Sequence, residues 1–69
     1  MENYIVLHKI NGVCVSRWDF GESITKATEF FLELRSNYKS LFPQNGDHTV
    51  EIKNERCRYY YNFFAFTVI

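Results

Sequence analysis

The side chains that could do chemistry are two histidines, His8 and His48, and two cysteines, Cys14 and Cys57. Such a set suggests a metal. Yet no C-x-x-C or H-x-x-x-H spacing occurs, and the residues scatter over separate segments. No metal and no cofactor is expected. A Cys–His neighbour pair can instead generate a thiolate nucleophile. That chemistry requires His8 and Cys14 to face each other, so it depends on the register of the segment between them. It also requires a group to orient the imidazole and donors to hold an oxyanion, and neither is evident. Phosphate-loop and dinucleotide fingerprints are absent, and three glycines could not assemble one. Glu29 and Glu33 read as a solvated helix face. His48 follows Asp47 in a turn-rich stretch and reads as a solvated loop histidine. The chain is read as a non-enzyme.

The elements that would position these residues follow from periodicity. Ser23 to Phe42 reads as the one helix. With Ile24 at the origin, Ala27, Phe30, Phe31, Leu34, Tyr38, Leu41 and Phe42 fall within one arc about 120° wide. Glu22, Lys26, Glu29, Glu33, Ser36 and Ser40 lie opposite. Ser23 can cap the first turn, and Pro43 stops the helix.

Residues 4–18 read as a β-hairpin around Asn11-Gly12. A two-residue turn would pair Ile10 with Val13. A three-residue loop with a bulge would pair Lys9 with Val13, and it is preferred. It gathers Ile5, Leu7, Val13 and Val15 on one face and Tyr4, Val6, His8, Cys14, Ser16 and Trp18 on the other, with His8 opposite Cys14. Residues 48–69 read as a second hairpin, with a tight turn at Asn54-Glu55 that sets Val50 opposite Tyr59 and Ile52 opposite Cys57. The expected fold is α+β: a single small domain over residues 1–69, in ββαββ order. It comprises a four-stranded antiparallel sheet (hairpins 4–18 and 48–69) with one helix, 23–42, packed on one face. The last strand is apolar on both faces and is expected at the centre of the sheet.

Composition limits the function. A chain of 69 residues buries only about 60% of its unfolded surface, so its stability margin is thin. Net charge is zero, which argues against nonspecific nucleic-acid binding. The first residues lack a basic region, and no apolar run approaches the ~20 residues needed to span a bilayer. A cytoplasmic protein with no membrane association is expected.

One helix covers one face of a sheet. Alternation along the last strand lets Tyr59, Tyr61, Phe63 and Ala65 take the helix side. Tyr4, Val6, His8, Trp18, Arg58, Tyr60, Asn62, Phe64 and Phe66 then form an uncovered face. An apolar patch of this kind marks a contact surface. The expected function is protein binding through that face, as a small stoichiometric inhibitor or adaptor, with a homodimer formed by stacking two such faces as the simplest form. The alternative is single-stranded nucleic-acid binding by stacking on Tyr60, Phe64 and Trp18. The Asn-, Ile-, Phe- and Tyr-rich composition suits an AT-rich phage or mobile-element genome. On that reading the target is a host or defence complex in the host cytoplasm.

Overall fold

Asn11 and Gly12 both adopt positive φ, 51° and 82°. Two consecutive left-handed residues make the tight turn whose twist matches that of paired strands. In the computed structural model, which describes residues 2–56 and 60–69 and only the backbone of residues 60 and 61, that turn joins β1 (Tyr4–Ile10) to β2 (Val13–Asp19). Ile10 pairs with Val13, so the two-residue turn is the one formed and the three-residue loop is not. The bulge lies further in. His8 pairs with Ser16 and Lys9 with Cys14, which leaves Val15 as the extra residue on β2.

Ser23 caps α1 (Ile24–Ser36), its hydroxyl accepting from the Lys26 N–H at 3.2 Å. The helix ends earlier than its periodicity suggests. Asn37 leaves helical geometry (φ −120°, ψ 18°), and its Nδ2 donates to the Glu33 carbonyl at 3.0 Å. A short amide side chain that competes for backbone carbonyls interrupts a helix in this way. A second short turn, α2 (Tyr38–Leu41), follows before Pro43.

β3 (Gly46–Asn54) pairs antiparallel with β1, and β4 (Tyr60–Val68) with β3, giving one sheet of order β2-β1-β3-β4. The fold is α+β with ββαββ order and the helix on one face of four antiparallel strands. β4 is an edge strand and not central; β1 and β3 occupy the middle. The second hairpin also closes later than a turn at Asn54-Glu55 would allow. Val50 faces Phe64 and Ile52 faces Asn62, so neither faces Tyr59 or Cys57. Asn54 is still committed to β1, opposite Tyr4, and Glu55 N–H donates to Asn3 O at 2.8 Å, which holds the chain in register past the expected turn. Cys57, Arg58 and Tyr59 lie outside the described residues.

The core forms where the helix stripe meets the even-numbered face of the inner strands. Ala27, Phe31, Leu34 and Phe42 bury against Val6, Val50 and Ile52, with Tyr4, Trp18, Phe20, Phe30, Tyr38, Phe64 and Phe66 packed around them. Phe31 meets Phe64 edge-on at 5.5 Å, and Tyr38 lies 4.4 Å from Phe66. Gly46 closes the far end of the sheet. Its φ is 134°, and an added Cβ would come within 3.0 Å of Ile10 Cγ2 and Asn11 Nδ2. The same approach lets Asp47 N–H donate to Asn11 Oδ1 at 2.9 Å. Gly46→Ala is expected to cost about 1–3 kcal/mol through backbone strain and this contact. Gly12, with open space around it, should cost less when changed to Ala. Urea midpoints of the two variants check the order; equal midpoints would rule out the close-approach account.

Candidate binding surfaces

The face expected to be open is the face under the helix. Val6 is fully buried and His8 is 3% exposed. Trp18 packs on Phe30 at 5.0 Å, and Phe64 and Phe66 pack against Phe31, Tyr38 and Phe42. Tyr4 belongs to the same cluster. Asn62 is exposed, its Oδ1 accepting from the Phe63 N–H at 2.8 Å. Tyr60 is placed by its backbone, opposite Lys53, and Arg58 lies outside the described residues. Tyr4, Val6, His8, Trp18, Asn62, Phe64 and Phe66 fall on one face, but Cys14 pairs with Lys9 and Tyr60 with Lys53, positions of the other face. Val13 pairs with Ile10 rather than joining Ile5 and Leu7. The helix also covers the other side from the one expected. A Phe-rich stripe finds more apolar volume to bury on the aromatic face, and burial of that area outweighs the smaller gain available over Ile5 and Leu7.

The uncovered face is charged where it crosses β2, β1 and β3, and carries exposed Phe63 and Ala65 on β4. Leu7 lies between Arg17 and Glu51, and Ile5 between Asp19 and Lys53. Both are buried without a helix over them, as expected where long charged side chains lay their stems across apolar neighbours. Arg17 bridges Asp19 at 3.1 Å and Glu55 at 2.7 Å, and Asn3 Nδ2 donates to both carboxylates. The Asp19 carboxyl is held below its ordinary range by the Arg17 hydrogen bond, and that of Glu55 by Asn3 and then Arg17. Lys9 bridges Glu51 at 2.9 Å, and that hydrogen bond raises the lysine's pKa. A homodimer made by stacking two such faces loses the apolar surface it was expected to use.

His8 and Cys14 are not brought together. Cys14 is exposed opposite Lys9, and its thiol leans on the Ser16 carbonyl at 3.5 Å. The nucleophile–base pair considered from sequence is therefore not assembled. Among the described residues no His, Cys, Asp and Glu side chains cluster as metal ligands.

His48, expected in solvent, is 1% exposed on β3. Its Nε2 lies 2.6 Å from the Gln44 carbonyl and its Nδ1 2.8 Å from His8 Nε2. A carbonyl only accepts, so His48 carries its proton on Nε2. In the neutral pair Nδ1 is then an acceptor, and His8 donates to it from Nε2. The rings sit between aromatic neighbours, with His8 4.1 Å from Phe42 and His48 4.7 Å from Phe66. Sequence gave one signal for this: His48 continues the even-numbered alternation of Val50 and Ile52.

His8 also lines a cleft of about 430 Å³ between β2 and α2, with Ile10, Val15, Ser16, Trp18, Leu41, Phe42 and Gln44. The bulged residue Val15 lies on one wall, and Leu41 of α2, half-exposed, lies on the other.

The two sheet edges differ. β2 is bulged and carries Arg17 and Asp19. β4 is bulged at its start, where Tyr61 is the extra residue between the Lys53–Tyr60 and Ile52–Asn62 pairs. Its nine residues include no charged side chain and no proline, however, and from Asn62 to Val68 it pairs regularly with β3. No helix of the described residues is long and apolar enough to cross a membrane. No family model, no curated protein and no solved structure matches this chain.

Proposed function

We propose that this chain is a non-catalytic protein-binding module, a small stoichiometric inhibitor or adaptor, which takes an extended segment of its partner along the outer edge of β4. One observation carries the reading: the contrast between the edges. Natural sheets blunt their edges with charge, proline or bulges, and β2 is blunted while β4, from Asn62 onward, is not. An uncharged edge of this length is a template for strand addition, in which main-chain hydrogen bonds supply affinity and alternate side chains supply selectivity. The setting proposed is the cytoplasm, with a larger host or defence complex as target. The nucleic-acid alternative needs an open stacking platform, and Trp18 and Phe64 face the helix rings.

The test compares the edges. Ala65 is exposed on β4 and Val15 on β2. Partner capture from nuclease-treated host lysate is expected to fall at least about tenfold with Ala65→Lys. It should be unchanged with Val15→Lys, both variants keeping the wild-type circular dichroism. Retention of the partner by Ala65→Lys would end the strand-addition reading.

A further inference from the structure

We propose that the cleft between β2 and α2 binds a phenol-class group, a planar aromatic ring carrying one hydroxyl donor, with His8 Nδ1 as the acceptor at its floor. Three observations on the cleft lead there.

First, the acceptor is fixed in identity. The Gln44 carbonyl sets the His48 tautomer, and His48 in turn takes the proton on His8 Nε2. The remaining nitrogen of His8, Nδ1, therefore presents a lone pair. Among the described residues no buried side-chain nitrogen or oxygen lacks a partner, and the hydrogen bond of His8 runs through Nε2. Nδ1 is thus the nitrogen that reaches the cleft His8 lines. A ligand that offers a donor satisfies it; one that offers only acceptors leaves it facing another lone pair.

Second, the walls select by shape and charge. Trp18 and Phe42 flank the site, Ile10, Val15 and Leu41 supply aliphatic surface, and no Asp, Glu, Lys or Arg lines it. An anion would find no counter-charge and a cation no carboxylate, so a neutral ring fits the lining. Aromatic walls favour a planar ring over an aliphatic alcohol. Third, the volume lies within the range of small-ligand pockets, and the lining mixes apolar walls with the polar groups of His8, Ser16 and Gln44, as a ring carrying one hydroxyl requires. The site stands at the β2 side of the sheet, away from the β4 edge, so it does not depend on the strand-addition reading.

The experiment titrates p-cresol and its methyl ether, 4-methylanisole, into the full chain near neutral pH, followed by NMR. The ether keeps the ring and removes the donor. Saturable shifts are expected at His8, Trp18 and Leu41, with p-cresol at least about tenfold tighter than the ether. Equal affinities, shifts that do not saturate, or shifts centred elsewhere would overturn the proposal. Ser16→Leu fills the cleft from a half-buried position opposite His8, and it should abolish the p-cresol shifts. Binding that survives this variant would also overturn it. N-acetyl-tyrosinamide forms a further arm. If it binds as p-cresol does, the group is supplied by a tyrosine side chain; if p-cresol alone binds, the ligand is a free small phenol.

Discussion

Phe31→Ala is expected to unfold a large share of the molecules at room temperature. Phe31 is 1% exposed, central on α1, and edge-on to Phe64 at 5.5 Å. Truncating a buried Phe to Ala costs about 3–5 kcal/mol, part transfer and part cavity. A domain of this size holds on the order of 3–10 kcal/mol in total. The loss therefore takes most of the margin and shifts the thermal midpoint down by roughly 15–30 °C. Leu32, one position on, is half-exposed, and Leu32→Ala should stay within about 1 kcal/mol. Thermal melts of both variants would check this. Because the two residues lie on different faces of α1, the pair also tests which side of the helix meets the sheet. Comparable losses for both would mean the stripe has been assigned to the wrong face.

The helix stripe, the strand order along the chain and the alternation within β1 and β3 were legible because each rests on a short period, 3.6 residues for α1 and two for the strands. The bulges at Val15 and Tyr61, by contrast, moved Cys14 and Tyr60 to the other face. Tyr4, Val6, His8 and Trp18 could be grouped without knowing what covers them. The side the helix takes is not a local property, and it was inverted. A signal for it was present. Lys9, Arg17, Asp19, Asp47, Glu51 and Lys53 all fall on the odd-numbered face, while the even-numbered face of the described strands carries no Asp, Glu, Lys or Arg. A charged face is solvated and a charge-free face is core, however aromatic the latter is. The hairpin register was missed for a different reason. Asn-Gly fits either turn, and the choice was decided by which aliphatic residues would align, whereas the bulge at Val15 restores the alternation on its own. The buried histidine pair was missed because its hydrogen bond joins residues forty positions apart, and no local pattern reports that contact.

Acidification is expected to destabilise the protein before Asp19 or Glu55 titrates. Burial lowers the pKa of His8 from 6.5, and the charge His48 can carry lowers it further. Among the described residues no other titratable group lines the cleft beside it: β2 presents Ser16 and Trp18, α2 presents Leu41, and Phe42 follows. In the unfolded chain His8 takes its proton near pH 6.5; in the folded chain it resists until lower pH. Between those values the unfolded state binds more protons, so stability falls as pH falls, by up to ~1.4 kcal/mol per pH unit for this residue. Above the window its contribution is complete. The carboxylates of Asp19 and Glu55 have folded pKa values below 3.8 and 4.5, so their contribution is lost only at lower pH still. Urea midpoints measured from about pH 8 to about pH 5 should therefore be level and then decline. His8→Leu should be less stable at neutral pH by about 1–3 kcal/mol, because His48 Nδ1 loses its donor, but its decline with acid should be shallower. An identical slope in both proteins would show that His8 is not the group responsible. The same proton, once taken up, converts the cleft-facing lone pair of Nδ1 into an N–H. The preference for p-cresol over its methyl ether should then shrink over the same pH window as stability, since either oxygen can accept from that N–H.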